Sequence, residues 1–207
     1  MSHGLLSRGR FLPAVLLLMV SLFPSGLKAE CDCLPEELLP DNMFPSIKLE
    51  TSMGNIVVEL NRMRAPATSN NFLHYVLDGA YDNTIFHRVM PGFVVQGGGY
   101  SPEFDERDLN DPVINESGNG LLNNLGTIAM ARFSDPHSAT SQFYFNMDNN
   151  QSLNPSSKGW GYTVFGDVIE GHDVLQAISE VATGYSEDLA ASDVPLEQVL
   201  LIKASVQ

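Results

Sequence analysis

Short strand-forming runs, separated by loops rich in glycine, asparagine and proline, dominate the chain from Ile47 onward. Runs of this length that are bounded by turn residues are typical of β-strands, so the pattern predicts a mainly β protein. Ser52–Asn55 separates the first two runs, and its turn-forming residues predict a β-hairpin there. The predicted strands are Ile47–Thr51, Asn55–Leu60, Thr84–Arg88, Gly92–Gln96, Gly126–Ala131, Gln142–Met147, Thr163–Ile169 and Val199–Val206.

Two segments show the spacing of amphipathic helices instead, namely Ala67–Gly79 and His172–Val181. Thr68 or Ser69 is predicted to cap the first helix, and Gly79 is predicted to end it. Many short strands with two helices favour a closed or nearly closed antiparallel β-barrel whose ends the helices cover. The apolar positions at helical spacing are Phe72, Leu73, Val76 and Leu77 in the first helix and Val174, Leu175 and Ile178 in the second.

The N-terminus has the layout of an export signal. Arg8 and Arg10 precede the apolar run Phe11–Phe23, and the small residue Ala29 stands at a suitable cleavage position. This order predicts a signal peptide over residues 1–29 and hence a periplasmic or secreted protein. The apolar run is too short for a comfortable transmembrane helix, so no stable membrane insertion is expected after cleavage. An uncleaved anchor is the alternative.

Residues 30–45 contain three prolines and predict a linker, which leaves residues 46–207 as one domain. Cys31 and Cys33 lie in this linker beside the predicted cleavage site. A disulfide between them would be strained, because one residue separates them, and a metal site would need further ligands nearby. We interpret the pair as part of a structurally unimportant tail, with a strained or intermolecular disulfide as the alternative.

The chain is acidic, with 11 Lys and Arg residues against 25 Asp and Glu residues and a formal net charge of −14. Loss of residues 1–29 would remove three basic residues, leaving 8 basic and 25 acidic ones and a net charge of −17. An acidic surface repels phosphate backbones, so this balance argues against a nucleic-acid-binding protein.

Common catalytic signatures are missing from the sequence. It contains no H-E-x-x-H, G-x-S-x-G, P-loop or G-x-G-x-x-G motif, and no pair of histidines has the i,i+4 spacing of a helical metal site. The run Gly97–Gly99 lacks the following helix and lysine that a phosphate-binding loop needs. We therefore expect neither a metal nor a cofactor.

The segment FHRVMPGFVVQGGG, residues 86–99, combines polar donors with apolar residues. On a strand, Phe93 and Val95 would face one side and Val94 and Gln96 the other. Arg88 cannot lose its proton, so it would serve as a hydrogen-bond donor and never as a base. The alternative is a surface arginine that is paired with a carboxylate.

A second segment joins GTIAMA, residues 126–131, with SQFYFN, residues 141–146. It places Met130 and aromatic residues next to Gln142. Methionine and aromatic residues at strand spacing belong to a protein core more often than to a binding site. Taken together, the two segments indicate an apolar groove with polar donors and leave its ligand open.

Four ordered motifs identify a family resemblance: FHRVMPGFVVQGGG (86–99), GTIAMAR (126–132), SATSQFYFN (138–146) and YTVFGDVIEG (162–171). Together they resemble the cyclophilin-type peptidyl-prolyl cis-trans isomerases, over roughly Ile47 to Val206. Spacing and leader are most similar to the secreted bacterial branch. The resemblance implies a closed eight-stranded antiparallel β-barrel capped by two α-helices. It also implies proline-containing polypeptides as substrates, no cofactor and a monomer.

The resemblance implies roles for eleven residues of this chain. The implied catalytic group consists of Arg88, Gln96 and His87. The implied substrate-binding residues form an apolar proline pocket with nearby backbone-binding groups, and they are Phe93, Val94, Met130, Ala131, Gln142, Tyr144, Leu153 and Tyr162.

The chain departs from the family pattern at several positions near this pocket. Arg132 replaces a frequent asparagine and is followed by Phe133, and Ser152 stands where many members have a tryptophan that helps bind cyclosporin. The one tryptophan, Trp160, lies in a loop and does not take that role, so weak cyclosporin binding is expected. A holdase chaperone that binds proline peptides without significant turnover is the alternative function.

Overall fold

The structure is a computed structural model, and it describes Met1, residues 42–108 and residues 110–207. The predicted signal peptide, most of the predicted linker, and both Cys31 and Cys33 lie outside the described residues. None of the helices in the described part of the chain is long and apolar enough to cross a membrane.

Eleven strands and two α-helices make up the described domain. The strands are β1 (Ser46–Thr51), β2 (Gly54–Leu60), β3 (Thr84–Ile85), β4 (Arg88–Met90), β5 (Val94–Gly97), β6 (Thr127–Met130), β7 (Phe143–Asn146), β8 (Val164–Glu170), β9 (Thr183–Ser186), β10 (Ala191–Pro195) and β11 (Leu200–Val206). The helices are α1 (Pro66–Leu77) and α2 (His172–Ser179). Two short 3₁₀ turns cover Ser117–Asn119 and Gln151–Leu153.

Nine of the strands form one curled antiparallel sheet in the order β3-β11-β1-β2-β8-β6-β7-β5-β4. The predicted hairpin is confirmed as β1 and β2, with Thr51 paired to Gly54 across the turn. The edge strands β3 and β4 follow each other in the chain, and only Phe86 and His87 lie between them. The chain itself therefore brings the two edges of the sheet together.

The predicted mainly β fold with two helices is confirmed, and the closed eight-stranded barrel describes its sheet approximately. The sheet has nine strands, and no backbone ladder joins β3 to β4 within the described residues, so it forms a half-barrel. The reason lies in Thr84–Arg88, which was predicted as one strand but divides at Phe86 and His87. Phe86, which lies at that division, is buried in the core.

Both predicted helices are confirmed within two residues at each end. The capping prediction is wrong, because no side chain of the N-cap region caps α1. Instead, the Glu116 carboxylate accepts hydrogen bonds from the Ala67 and Thr68 amides at 3.2 and 2.8 Å and from the Thr68 hydroxyl at 2.7 Å. A negative charge at this position also complements the positive end of the helix dipole.

The main core lies inside the curl of the sheet, closed at its two ends by α1 and α2. Alternate residues of β1 and β2 point into it, as the period of two requires. The helices contribute the predicted positions Phe72, Leu73 and Val76 from α1 and Leu175 and Ile178 from α2, all of which are buried.

Candidate active site

Five adjacent strands place one row of residues on the outer face of the sheet. Arg88 pairs with Gln96 across β4 and β5, and Gln96 pairs with Tyr144 across β5 and β7. Tyr144 pairs with Ala129 on β6, and Ala129 pairs with Val164 on β8. Directly opposed residues in a sheet point to the same side, so this row defines one surface.

The next row along the same strands points the opposite way. Val89, Val95, Phe145 and Ile128 are opposed in turn, and all four belong to the main core. The outer row instead forms a second, smaller apolar cluster made of Val94, Ala129, Tyr144 and Val164. The sheet thus separates a structural face from a face that is available to a ligand.

A cavity of about 150 Å³ opens on this outer face. Cavities of this volume accept a six-membered ring, so a single small apolar ring fits. Seven of its eight lining residues are predicted site residues, and the eighth is Arg132. The lining residues are Arg88, Val94, Gln96, Ala131, Arg132, Tyr144, Leu153 and Tyr162.

Arg88 stands at the wall of this cavity with two weak partners. Its Nη1 lies 3.5 Å from Gln96 Oε1, and its Nη2 lies 2.9 Å from the thioether sulfur of Met90. The described residues contain a single ion pair, Lys48 with Glu50, so Arg88 is not the carboxylate-paired surface arginine of the alternative interpretation. Most of the donor capacity of its guanidinium is therefore left for a ligand.

Two glutamines connect the cavity to a smaller neighbouring one. Gln96 Nε2 donates to Gln142 Oε1 at 2.8 Å, which fixes the orientation of both amides. The Gln142 side chain lies so close to Gly99 that a Cβ there would come within 2.7 Å of it. This close approach explains part of the glycine run. The second cavity, of about 100 Å³, is lined by Gln96, Ala131, Arg132, Phe133, Ser138, Thr140 and Gln142.

A buried asparagine that the sequence analysis missed holds the floor of the first cavity. Asn123 Oδ1 accepts the Tyr144 hydroxyl at 2.8 Å, while its Nδ2 donates to the carbonyls of Leu153 and Tyr162 at 3.3 and 3.4 Å. Burial raises the pKa of Tyr144, so its hydroxyl stays protonated and remains a donor. One side chain thus ties three lining residues together.

His87 does not reach the cavity. Its side chain is only 8% exposed, and its ring packs edge-on against Tyr100 with 4.8 Å between centroids. Burial disfavours the charged imidazolium and lowers the pKa of His87 to about 4. Its buried Nδ1 has no hydrogen-bond partner among the described residues. The structure places His87 among buried residues outside the cavity lining, and its implied catalytic role stays a prediction.

Met130 also differs from its predicted position. It is 2% exposed and belongs to the main core, while its neighbours Ala129 and Ala131 face outward. The strand period of two requires this, because Met130 and Ala131 cannot both point to the same side. Phe93 packs at the edge of the smaller apolar cluster, without lining the cavity itself.

Arg132, noted in the sequence only as a departure, is fixed by four contacts. Its guanidinium donates to the carbonyls of Gly161, Phe133 and Trp160 at 3.3, 2.9 and 3.1 Å. Its central carbon also lies 4.5 Å from the centre of the Tyr162 ring, a cation–π contact. The sequence could have indicated that Arg132 adds a second positive charge to the cavity wall. Its contacts with the Gly161 and Trp160 carbonyls could not be predicted, because they join segments that are distant in the sequence.

The electrostatics of this face contrast with the composition of the chain. Two arginines line the first cavity, and no Asp or Glu is among the lining residues of either cavity. The chain as a whole carries 25 acidic residues. The face is therefore suited to carbonyl oxygens, which accept hydrogen bonds, around a small apolar group.

A half-barrel with this outer face defines a class of protein that accepts one small apolar ring between arginine donors and an apolar floor. Comparison with known proteins gives the family. Residues 46–206 match the family model described as cyclophilin-type peptidyl-prolyl cis-trans isomerase/CLD. The chain belongs to this family, and it is a peptidyl-prolyl cis-trans isomerase that acts on proline-containing peptides.

Curated relatives with the same activity in their names cover the domain. Peptidyl-prolyl cis-trans isomerase cyp18 of Streptomyces antibioticus is 49% identical over 164 residues, which is 78% of this chain and 98% of that protein. Peptidyl-prolyl cis-trans isomerase B of Escherichia coli K12 is 45% identical over 163 residues, covering 77% of this chain and 98% of that protein.

A solved structure agrees in fold. The crystal structure of a cyclophilin-type isomerase from Cryptosporidium parvum matches with a TM-score of 0.66 at 24% sequence identity. The match covers 79% of this chain and 98% of that one. It supports the mainly β cyclophilin architecture of the domain.

Proposed function

We propose that the 150 Å³ cavity holds the proline ring of an X–Pro bond while Arg88 lowers the barrier to its rotation. Amide resonance sets that barrier at roughly 18–20 kcal/mol, because it is lost when the bond is twisted. The twisted nitrogen regains a lone pair, and a donor that binds it there stabilises the transition state more than the ground state. No covalent intermediate is needed.

The single observation that carries this mechanism is the environment of Arg88. Its guanidinium borders an apolar floor made by Val94, Tyr144 and Leu153, and it has only an amide oxygen and a thioether as partners. Both partners are weak enough to be exchanged for the prolyl nitrogen or the adjacent carbonyl. Gln96 lies opposite Arg88 and is held by Gln142, so it can bind the substrate backbone.

An assay with a chromogenic X–Pro peptide tests the mechanism. We expect saturable acceleration of cis-trans exchange that is lost in the Arg88→Ala variant. A holdase chaperone would bind the same peptide without accelerating exchange. If the wild type and Arg88→Ala both bind the peptide and exchange proceeds at the uncatalysed rate with each, the result supports the holdase and contradicts the mechanism.

We further propose that the natural substrates are exported polypeptides and that residues 1–29 direct the chain out of the cytoplasm. The support is the basic start, short apolar run and small residue of the N-terminal sequence. Fractionation of cells that express the full chain, with intact-mass measurement of the exported form, tests this. An unprocessed mass or a cytoplasmic location would contradict it.

Two binding properties complete the proposal. The domain acts as a monomer, and it binds cyclosporin weakly because Ser152 stands where many family members carry tryptophan. Inhibition of the isomerase reaction at nanomolar cyclosporin would contradict the second statement, and a concentration-dependent sedimentation coefficient would contradict the first.

A further inference from the structure

Two large aromatic side chains stay exposed beside the cavities. Phe133 is 71% exposed and Trp160 is 53% exposed. Phe133 forms part of the wall of the second cavity, and Trp160 borders an open groove together with Gly118, Pro155 and Lys158. Exposed apolar side chains that cluster next to a binding site mark surfaces that contact a partner.

Arg132 joins the two aromatic residues to the active site. Its Nη1 donates to the Phe133 carbonyl and its Nη2 donates to the Trp160 carbonyl, while its guanidinium covers the Tyr162 ring. Arg132 also lines both cavities. The aromatic positions are therefore anchored to the wall of the site by the same side chain.

The Trp160 ring has a fixed support on its inner side. It packs against His137 with 5.3 Å between ring centroids and 67° between ring planes. His137 is held in turn, because its Nδ1 accepts from the Asn115 amide at 3.1 Å and its own amide donates to Asp135 Oδ1 at 2.8 Å. A rigid, half-exposed aromatic surface binds with little loss of conformational freedom.

We infer that Phe133, Arg132 and Trp160 form an aromatic extension of the substrate groove, which binds an aromatic or large apolar side chain of the same polypeptide whose proline occupies the cavity. This inference rests on the proposed binding of an X–Pro segment there. The occupant follows from continuity, because Arg132 belongs both to the cavity and to the extension and also contacts Tyr162 of the cavity wall.

The distances set the spacing between the two bound side chains. The Tyr144 and Tyr162 ring centroids are 5.9 Å apart, the Arg132 guanidinium lies 4.5 Å from Tyr162, and its Nη2 lies 3.1 Å from the Trp160 carbonyl. An extended chain needs about four residues to cover this path. Aromatic residues at about that separation from the proline are the ones that the extension would select.

Matched peptides test the inference through a ratio within each protein. Two peptides of ten residues with a central Ala–Pro are compared, one with Phe four residues from the proline and one with Ala there, and a second pair places Phe on the other side. For one of these pairs we expect kcat/KM to be about three- to tenfold higher with Phe. The ratio of kcat/KM for the Phe peptide to kcat/KM for the Ala peptide should fall to about one in Trp160→Ala and stay unchanged in Ile169→Ala. Ile169 is an exposed apolar residue five positions along β8 from Val164.

Fluorescence of the wild-type chain gives an independent measurement, because Trp160 is its one tryptophan. The Phe peptide should protect Trp160 from acrylamide quenching, and the Ala peptide should not. A ratio of about one in the wild type, a ratio that survives Trp160→Ala, or equal protection by both peptides would overturn the inference. Turnover of a short Ala–Pro tetrapeptide reports the proposed function separately, because that peptide is too short to reach Trp160.

Discussion

Arg88 on β4 and Gln96 on β5 lie directly opposite each other in the antiparallel ladder, and Arg88 Nη1 is 3.5 Å from Gln96 Oε1. Gln96 is oriented by its 2.8 Å hydrogen bond to Gln142, so the amide oxygen that faces the guanidinium has a defined position. The pair therefore aims several N–H donors at one side of an apolar cavity. This geometry suits a reaction in which hydrogen bonding has to change as a bond rotates.

Replacement of Arg88 by alanine should reduce kcat/KM for an X–Pro peptide by about 10²- to 10³-fold, equivalent to about 3–4 kcal/mol of transition-state stabilisation. Arg88→Lys is the matched control, since it keeps the charge but loses the planar fork of donors. It should recover only part of the rate. A rate near that of the wild type in Arg88→Ala, with an unchanged circular dichroism spectrum, would refute the assigned role.

The sequence predicted the outer face of β4 and β5 well, because Arg88, Val94 and Gln96 follow the strand period within one short segment. The same rule also fixes the direction in which Met130 points. Ala131 faces the cavity, so its neighbour Met130 has to face the core, where it is 2% exposed. The substrate-binding role that the resemblance implied for Met130 did not take the strand period into account.

Other parts of the fold depend on contacts between distant segments and have no periodic signal. Asn123 reaches Tyr144 and Tyr162, and Glu116 caps a helix that begins fifty residues earlier in the chain. The hairpin of β9 and β10 was also missed, because its residues alternate poorly between apolar and polar. It also contains positive φ values at Ala190 and Asp193, which strand patterns do not anticipate.

The two faces of the sheet should respond differently to truncation. Met130→Ala removes a core side chain, so the free energy of unfolding should fall by about 2–5 kcal/mol while KM changes little. Leu153→Ala, at the cavity, should raise KM for the X–Pro peptide with a smaller loss of stability. Urea unfolding and steady-state kinetics on both variants check this. A raised KM in Met130→Ala with an unchanged free energy of unfolding would show that Met130 contacts the substrate.

The Glu116 carboxylate should stabilise the domain through the start of α1. Glu116→Ala leaves the Ala67 and Thr68 amides without their acceptor, and the free energy of unfolding should fall by about 1–2 kcal/mol. Glu116→Gln keeps an acceptor oxygen and should lose roughly half as much. Asp188→Ala is the control, because it removes an exposed acidic charge from an acidic protein. Equal stability of Glu116→Ala and Asp188→Ala would show that the cap contributes nothing.

Burial of His87 should make the stability of the domain depend on pH. The pKa of His87 is about 4 in the folded protein and about 6.5 in the unfolded chain, so between these values the unfolded chain binds the extra proton. Stability is therefore fully present above pH 6.5 and decreases as the pH falls toward 4, by about 3 kcal/mol in total. Urea unfolding between pH 7.5 and 5 measures the slope.

His87→Gln removes the titrating group, so the slope of its unfolding free energy over this pH range should be shallower than that of the wild type. Burial and the neighbouring Glu59 raise the pKa of Asp167, and this shift acts on stability in the opposite direction to that of His87. Because the imidazole of His87 is neutral near pH 7, it cannot transfer a proton to the substrate as a general acid there. Between pH 6 and 8, kcat/KM of the wild type should therefore show no step that His87→Gln abolishes, and such a step would restore a catalytic role for His87.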